Sequence, residues 1–151
     1  MPKSNGKVQL LGFYQGSQLW NIVTVTKVHF DQEGNIRELD ETENLPHRPD
    51  AFFALYYPER EDEEKTQYSF YEADRKTTSV KKMHKKLRAH FHYIVKQRLT
   101  AEHYGVKRIR AVLIESTEED WTNTLRESAR HPVVSGSKLS PLLVHAEQLD
   151  F

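Results

Sequence analysis

The sequence predicts an α/β fold in which a mixed central sheet carries helices on its faces. Three observations predict it. Two strand-like runs, 51–57 and 66–74, flank a charged turn; apolar residues recur at helical spacing over 80–95; and a strand-like run at 109–114 precedes a second helical pattern and a short apolar run at 142–145. Hairpin, helix, strand, helix, strand is an order that suits a mixed sheet covered by helices. At 151 residues the chain is long enough for one core and short for two. Residues 1–6 read as a disordered start and 7–151 as a single domain.

Taken in order, residues 8–30 are rich in apolar and β-branched side chains, broken at Gly12 and Gly16, and fit two strands joined by a tight turn near Gln15-Gly16-Ser17. Asp31-Gln32-Glu33-Gly34-Asn35 is a polar turn that ends the second. Residues 31–47 are acidic and weakly patterned, which predicts a loop with a short strand at 36–39. In the 66–74 strand, alternation sets Tyr68, Phe70, Glu72 and Asp74 on one face and Ser69, Tyr71 and Ala73 on the other. Thr77, Thr78 or Ser79 can cap the next helix, whose apolar stripe is Val80, Met83, Leu87, Phe91, Ile94 and Val95 and which ends before Gly105. Ser116 with Glu119 matches a capping box for a helix running to about Ala129. Pro132, Gly136 and Pro141 mark a loop before the last strand, Leu142 to His145.

Composition narrows the chemistry. No run of eighteen uncharged apolar residues and no signal-peptide pattern is present, so the expectation is a cytoplasmic protein with no membrane partner. Cysteine is absent, which excludes disulfides, thiolate metal sites and a cysteine nucleophile. The net charge of zero hides a separation: 31–65 is mostly acidic, whereas 75–98 holds nine Lys or Arg and no acid. A basic helix of that kind gives a field that a phosphate backbone would feel, or it is a solvated face paired with the acidic segment.

The carboxylates carry the sharper expectation. Asp50 begins one arm of the hairpin, and Glu72 and Asp74 end the other, so adjacent antiparallel arms would gather three acids at one sheet edge. Clustered carboxylates favour a hard cation, Mg or Mn, which could activate water against a phosphodiester. The plain alternative has Asp50 capping a turn after Pro49, with Glu72 and Asp74 pairing with Arg75, Lys76 or the basic helix. His84, His90 and His92 lack i, i+4 spacing, so no histidine metal site is expected. Ser135-Gly136-Ser137-Lys138 has the wrong context for a phosphate loop, and Tyr56, Tyr57, Tyr71 and Tyr93 sit in apolar patterns that suit packing.

Arg48-Pro49-Asp50-Ala51, then Tyr71-Glu72-Ala73-Asp74-Arg75 with Thr77, then Lys86-Leu87-Arg88-Ala89, together resemble the replication-relaxation family, a plasmid-associated group. The similarity continues through Arg110-Ala111-Val112-Leu113 and 117–130 and covers about residues 46–145. The resemblance implies a restriction-endonuclease-like core of the PD-(D/E)xK kind. It implies Asp50, Glu72 and Asp74 as metal ligands, and these three with Lys76 as catalytic residues. Arg75, Lys81, Lys82, Lys85, Lys86 and Arg88 would be the DNA contacts. Residues 1–45 do not match the winged-helix part that precedes this region in the family. Asp74 occupies the position of the nuclease lysine, leaving Lys76, Lys82 or Lys86 to reach that space. Three readings follow: a DNA-binding or relaxosome accessory domain of a mobile element with a degenerate site; a Mg- or Mn-dependent endonuclease or nickase; and an interaction domain in which the basic helix meets the acidic segment, within one chain or across a homodimer.

Overall fold

The computed structural model describes residues 7–74, 79–116, 119–131, 134 and 144–148. The expected disordered start at 1–6, the Arg75 and Lys76 positions, the Thr77 and Thr78 caps, and the loop built on Pro132, Gly136 and Pro141 lie outside these residues, as do Ser135–Lys138 and Leu142.

The elements are β1 (Gln9–Gln15), β2 (Asn21–Phe30), β3 (Ile36–His47), β4 (Ala51–Tyr56), β5 (Thr66–Asp74), α1 (Val80–Phe91), α2 (Leu99–Tyr104), β6 (Ile109–Ser116), α3 (Glu119–Ala129) and β7 (Val144–Gln148). Five strands form one sheet in the order β1-β4-β5-β6-β7, with β1, β4 and β5 antiparallel and β5, β6 and β7 parallel. The mixed sheet and the 51–74 hairpin thus match expectation. Parallel neighbours require a crossover, and α1 and α3 supply the two that β5-β6 and β6-β7 need.

The sheet carries helices as expected, and α1 and α3 both cover the same face of it. Alternation puts Phe70, Glu72 and Asp74 on one side of β5, where Glu72 meets His90 of α1 and Asp74 meets Trp121 of α3. The core lies between that face and the helices, built on Phe52, Phe70, Met83, Leu87, Val112, Ile114 and Leu125.

Two further expectations change. The strands over 8–30 exist, but β1 joins the main sheet while β2 pairs with β3 in a separate two-stranded ribbon, so the turn at Gly16 carries the chain between sheets. The acidic 31–47 stretch contains a twelve-residue strand, not a loop. Its backbone is paired along β2, yet most of its side chains face solvent, and only Leu45 and His47 are buried. Such a strand can be acidic throughout most of its length, which erases the alternation by which strands are recognised. Ser116, read as a helix cap, is the last residue of β6, paired with Asp74 and Gln148.

The ribbon packs against α1 and the turn that follows it, and at its end His47 also reaches Phe70 of β5. Arg88 donates to the Thr26 carbonyl at 2.7 Å, and Gln97 donates to that of Thr24 at 2.9 Å. Helix α1 is therefore enclosed, and Leu87 through Phe91 are all buried. Ser79 caps its start by accepting from the Lys82 N–H. Its end continues as one π-helical turn, His92–Lys96, before the left-handed Arg98 and α2, and Gly105, also left-handed, closes α2.

Because Leu87 is fully buried in the hydrophobic core, Leu87→Ala should cost about 3 kcal/mol in urea unfolding, whereas Val80→Ala at the exposed start of α1 should cost under about 1 kcal/mol. Equal effects would show that α1 is not the enclosed element described.

Candidate functional site

The hairpin register explains where the acids go. Ala51 pairs with Tyr71, and Asp50 continues the ladder by donating its N–H to the Tyr71 carbonyl at 2.9 Å. One residue earlier the chain is Pro49, which has no N–H and ends the strand. The Asp50 carboxylate takes over as an acceptor, receiving the Ala73 N–H at 2.8 Å. Asp50 thus lies beside the end of β5, exposed, with one oxygen committed to the backbone. Its charge is also felt by Tyr71, whose hydroxyl is pushed up by burial first, then by a hydrogen bond to Glu115 and the charges of Glu115 and Asp50.

Glu72 is 4 % exposed. Lys86 and His90 stand four residues apart on α1 and so share the helical face that meets it. The His90 Nε2 lies 3.0 Å from one Glu72 oxygen and the Lys86 Nζ 3.6 Å from the other. Burial alone would raise the Glu72 carboxyl, but the His90 and Lys86 interactions outweigh it and hold the group below the ordinary range. Lys86 is one of the lysines expected to reach this space.

The chain of contacts extends to β3, where the His47 Nε2 lies 2.9 Å from the His90 Nδ1. The His47 ring stacks on Tyr93 with centroids 4.1 Å apart. Its Nδ1 is buried with no hydrogen-bond partner, and a bare acceptor there costs less than a stranded N–H. The arrangement therefore assigns one direction: His47 Nε2–H donates to His90, and His90 Nε2–H donates to Glu72. Burial, then the nearby His90, keeps His47 well below its usual pKa and hence neutral. A small cavity of about 110 Å³ borders this relay, lined by Pro46, His47, Arg48, Glu72, Lys86 and His90.

Asp74, two residues beyond Glu72 on the same face, accepts from the indole N–H of Trp121 on α3 and is likewise buried. The three acids therefore end one strand region but have separate partners. Among the described residues, no group of three or more His, Cys, Asp or Glu is placed to hold a metal ion. As for the basic residues, Arg88 is turned inward to the ribbon, Lys85 lies 3.8 Å from Glu43, and Lys81 and Lys82 are exposed. The Lys85–Glu43 pair joins the basic helix to the acidic segment within one chain. Sequence reasoning missed His47 and His90 as site residues. The available signal was the pairing of His47 with the Arg48-Pro49-Asp50 run and the four-residue step from Lys86 to His90.

No family model, curated protein or solved structure matches the chain. No helix among the described residues is long and apolar enough to cross a membrane.

The buried imidazole makes a pH prediction. Since the folded pKa of His47 is depressed, the unfolded chain binds a proton that the folded one refuses once pH falls below about 6.5, so stability declines as pH drops through that window. Glu72, also depressed, adds the same sign as pH falls below the ordinary glutamate value of 4.5. His84, His131 and His92, the last lowered to about 4, contribute in the same direction. In urea unfolding between pH 7 and pH 5.5, His47→Gln should flatten the slope by up to about 1.4 kcal/mol per pH unit, one proton's worth. A slope identical to that of the parent would sink the neutral-His47 assignment.

Proposed function

We propose that the chain is a DNA-binding accessory domain of a mobile element's replication or relaxation machinery, acting in the cytoplasm, with a restriction-endonuclease-like core whose carboxylate site is degenerate. One observation carries the reading. A groove of about 320 Å³ between α1 and β3 is walled by Lys82, Lys85 and Lys86 against the single acid Glu43, with Asn44, Leu45 and Pro46 on its other side. Lys86 and Pro46 also border the smaller cavity that reaches Arg48, so cationic side chains follow one another along the edge of the ribbon. Phosphates binding along such a line need charge and reach, not a strained catalytic geometry. The bonding of the acids supports a degenerate site, since each already serves an N–H, an imidazole or an ammonium of the protein itself.

Binding to duplex DNA should be salt-dependent, and Lys82→Ala with Lys85→Ala should weaken it at least about tenfold and reduce the slope of log K against log salt by about 2. Asp50→Asn, which keeps an acceptor for Ala73, should leave the affinity unchanged. Binding that ignores salt, or that is lost with Asp50→Asn but not with the lysines, would reject the reading.

A second reading, a Mg- or Mn-dependent nickase, is favoured by one feature: Lys86 stands 3.6 Å from Glu72, where a nuclease needs a cation, and Asp50 is tied to the same strand end. Supercoiled plasmid incubated with either metal, at a protein excess that gives full binding, separates the two. The accessory reading expects intact plasmid, and nicking abolished by Asp50→Asn would replace it with the catalytic one.

A further inference from the structure

We propose that the outer edge of β1 is a self-association surface, and that two copies of this chain join antiparallel through it about Gly12 to make one continuous sheet. The proposal does not depend on the functional reading above.

Strand β1 pairs with β4 on one side, and no strand among the described residues pairs with its other edge. Exposed edges carry unpaired N–H and C=O groups, and proteins that stay monomeric blunt them with lysine, proline, inward-turned charge or a bulge that twists the edge away. Residues 9–15, Gln-Leu-Leu-Gly-Phe-Tyr-Gln, hold no lysine, proline or charge, and the one such device in β1 is the bulge between Leu10 and Gly12. Leu10, Leu11, Phe13 and Tyr14 are 59, 56, 51 and 54 % exposed. An apolar strip of this size on an edge is unusual for a surface that meets only water.

What covers it is indicated by the order of residues. The strand reads nearly the same from either end. Antiparallel pairing about Gly12 sets Gln9 opposite the partner's Gln15, Leu10 opposite Tyr14, and Leu11 opposite Phe13. Each pair joins amide to amide or aliphatic to aromatic side chain, the kinds of cross-strand pair that stabilise a sheet. Gly12 falls on the two-fold axis and so is the one residue of the strand that faces its own copy, with its own Tyr14 ring 3.4 Å from the position a Cβ would take. A bulge between Leu10 and Gly12 adds local twist, which both copies share. A two-fold ladder seven residues long buries on the order of 1,000 Å² in total, at the low end of specific interfaces, so the dimer is weak, with a Kd on the order of 10 µM.

Sedimentation velocity of the full chain from about 1 to about 200 µM, a range that brackets this Kd, should show a reversible monomer–dimer equilibrium. Leu11→Lys with Phe13→Lys places like charges across the axis and should leave only monomer, whereas Leu11→Lys with Phe13→Glu, which loses the same apolar groups, should restore the dimer. Independently, because the chain has no cysteine, Gly12→Cys should oxidise to a disulfide-linked dimer while Gln9→Cys, which faces Gln15 of the other copy and not itself, should not. A parent chain monomeric throughout, two charge variants that behave alike, or Gly12→Cys and Gln9→Cys that cross-link equally, would each overturn the proposal.

Discussion

A carboxylate enclosed as fully as Glu72 stays ionised only if cations or donors accompany it out of water, and its partners are what bind the layers of this domain together. Lys86 and His90 come from one face of α1, so the helix must lie with that face on β5. His90 in turn needs a partner for its second nitrogen, and His47 provides it from the end of the ribbon. One buried charge thus specifies how strand, helix and ribbon are stacked, which apolar contacts alone, being non-directional, would specify less sharply. Two residues along, Asp74 does the corresponding work for α3 through Trp121. The alternation of the strand is why both helices end on the same face.

Enclosure of α1 also decides what its positive charge can do. Nine cations with no acid over 75–98 look from sequence like one continuous basic face. Burial of the second half of the helix removes Arg88 from that face, and the Glu72 and Glu43 carboxylates partly neutralise Lys86 and Lys85. Exposed charge is left at the start of α1, toward Lys81 and Lys82, and along the groove shared with β3. Surface ion pairs such as Lys85–Glu43 are worth little, so Lys85 can exchange that partner for another anion at small cost. Lys86, held against a buried carboxylate, cannot do so as easily.

Much of the main sheet was legible because its signals are local. The 51–74 hairpin, the α1 stripe from Met83 to Phe91, the run at Ile109 and the helix through Ala129 each carry a period or a breaker that sequence displays. The ribbon was not, since β3 hides its pairing in the backbone and shows only Leu45 and His47 as buried alternation at one end. Side-chain partners were less legible still. That Asp50 stands beside the end of β5 follows from the hairpin, but its acceptance of the Ala73 N–H depends on how Pro49 ends β4. The relay through His47 and His90 joins residues 43 apart in the chain, and no spacing rule connects them.

The same bonding weighs the two uses of the acids against each other. A divalent cation seated between Asp50 and Glu72 would have to displace Lys86 and His90 from one carboxylate, while the other has one oxygen already committed to the Ala73 N–H. Hydrogen bonds to charged groups are worth roughly 1.5–3 kcal/mol each, and the freed imidazole would then stand buried without its acceptor. Moving Lys86 away would also remove the cation that a cleavage site requires. Metal binding and lysine assistance therefore oppose each other at Glu72, whereas phosphate contact by Lys82 and Lys85 leaves every one of these bonds in place. That difference in what must be broken is why the groove, and not the carboxylates, carries the functional reading.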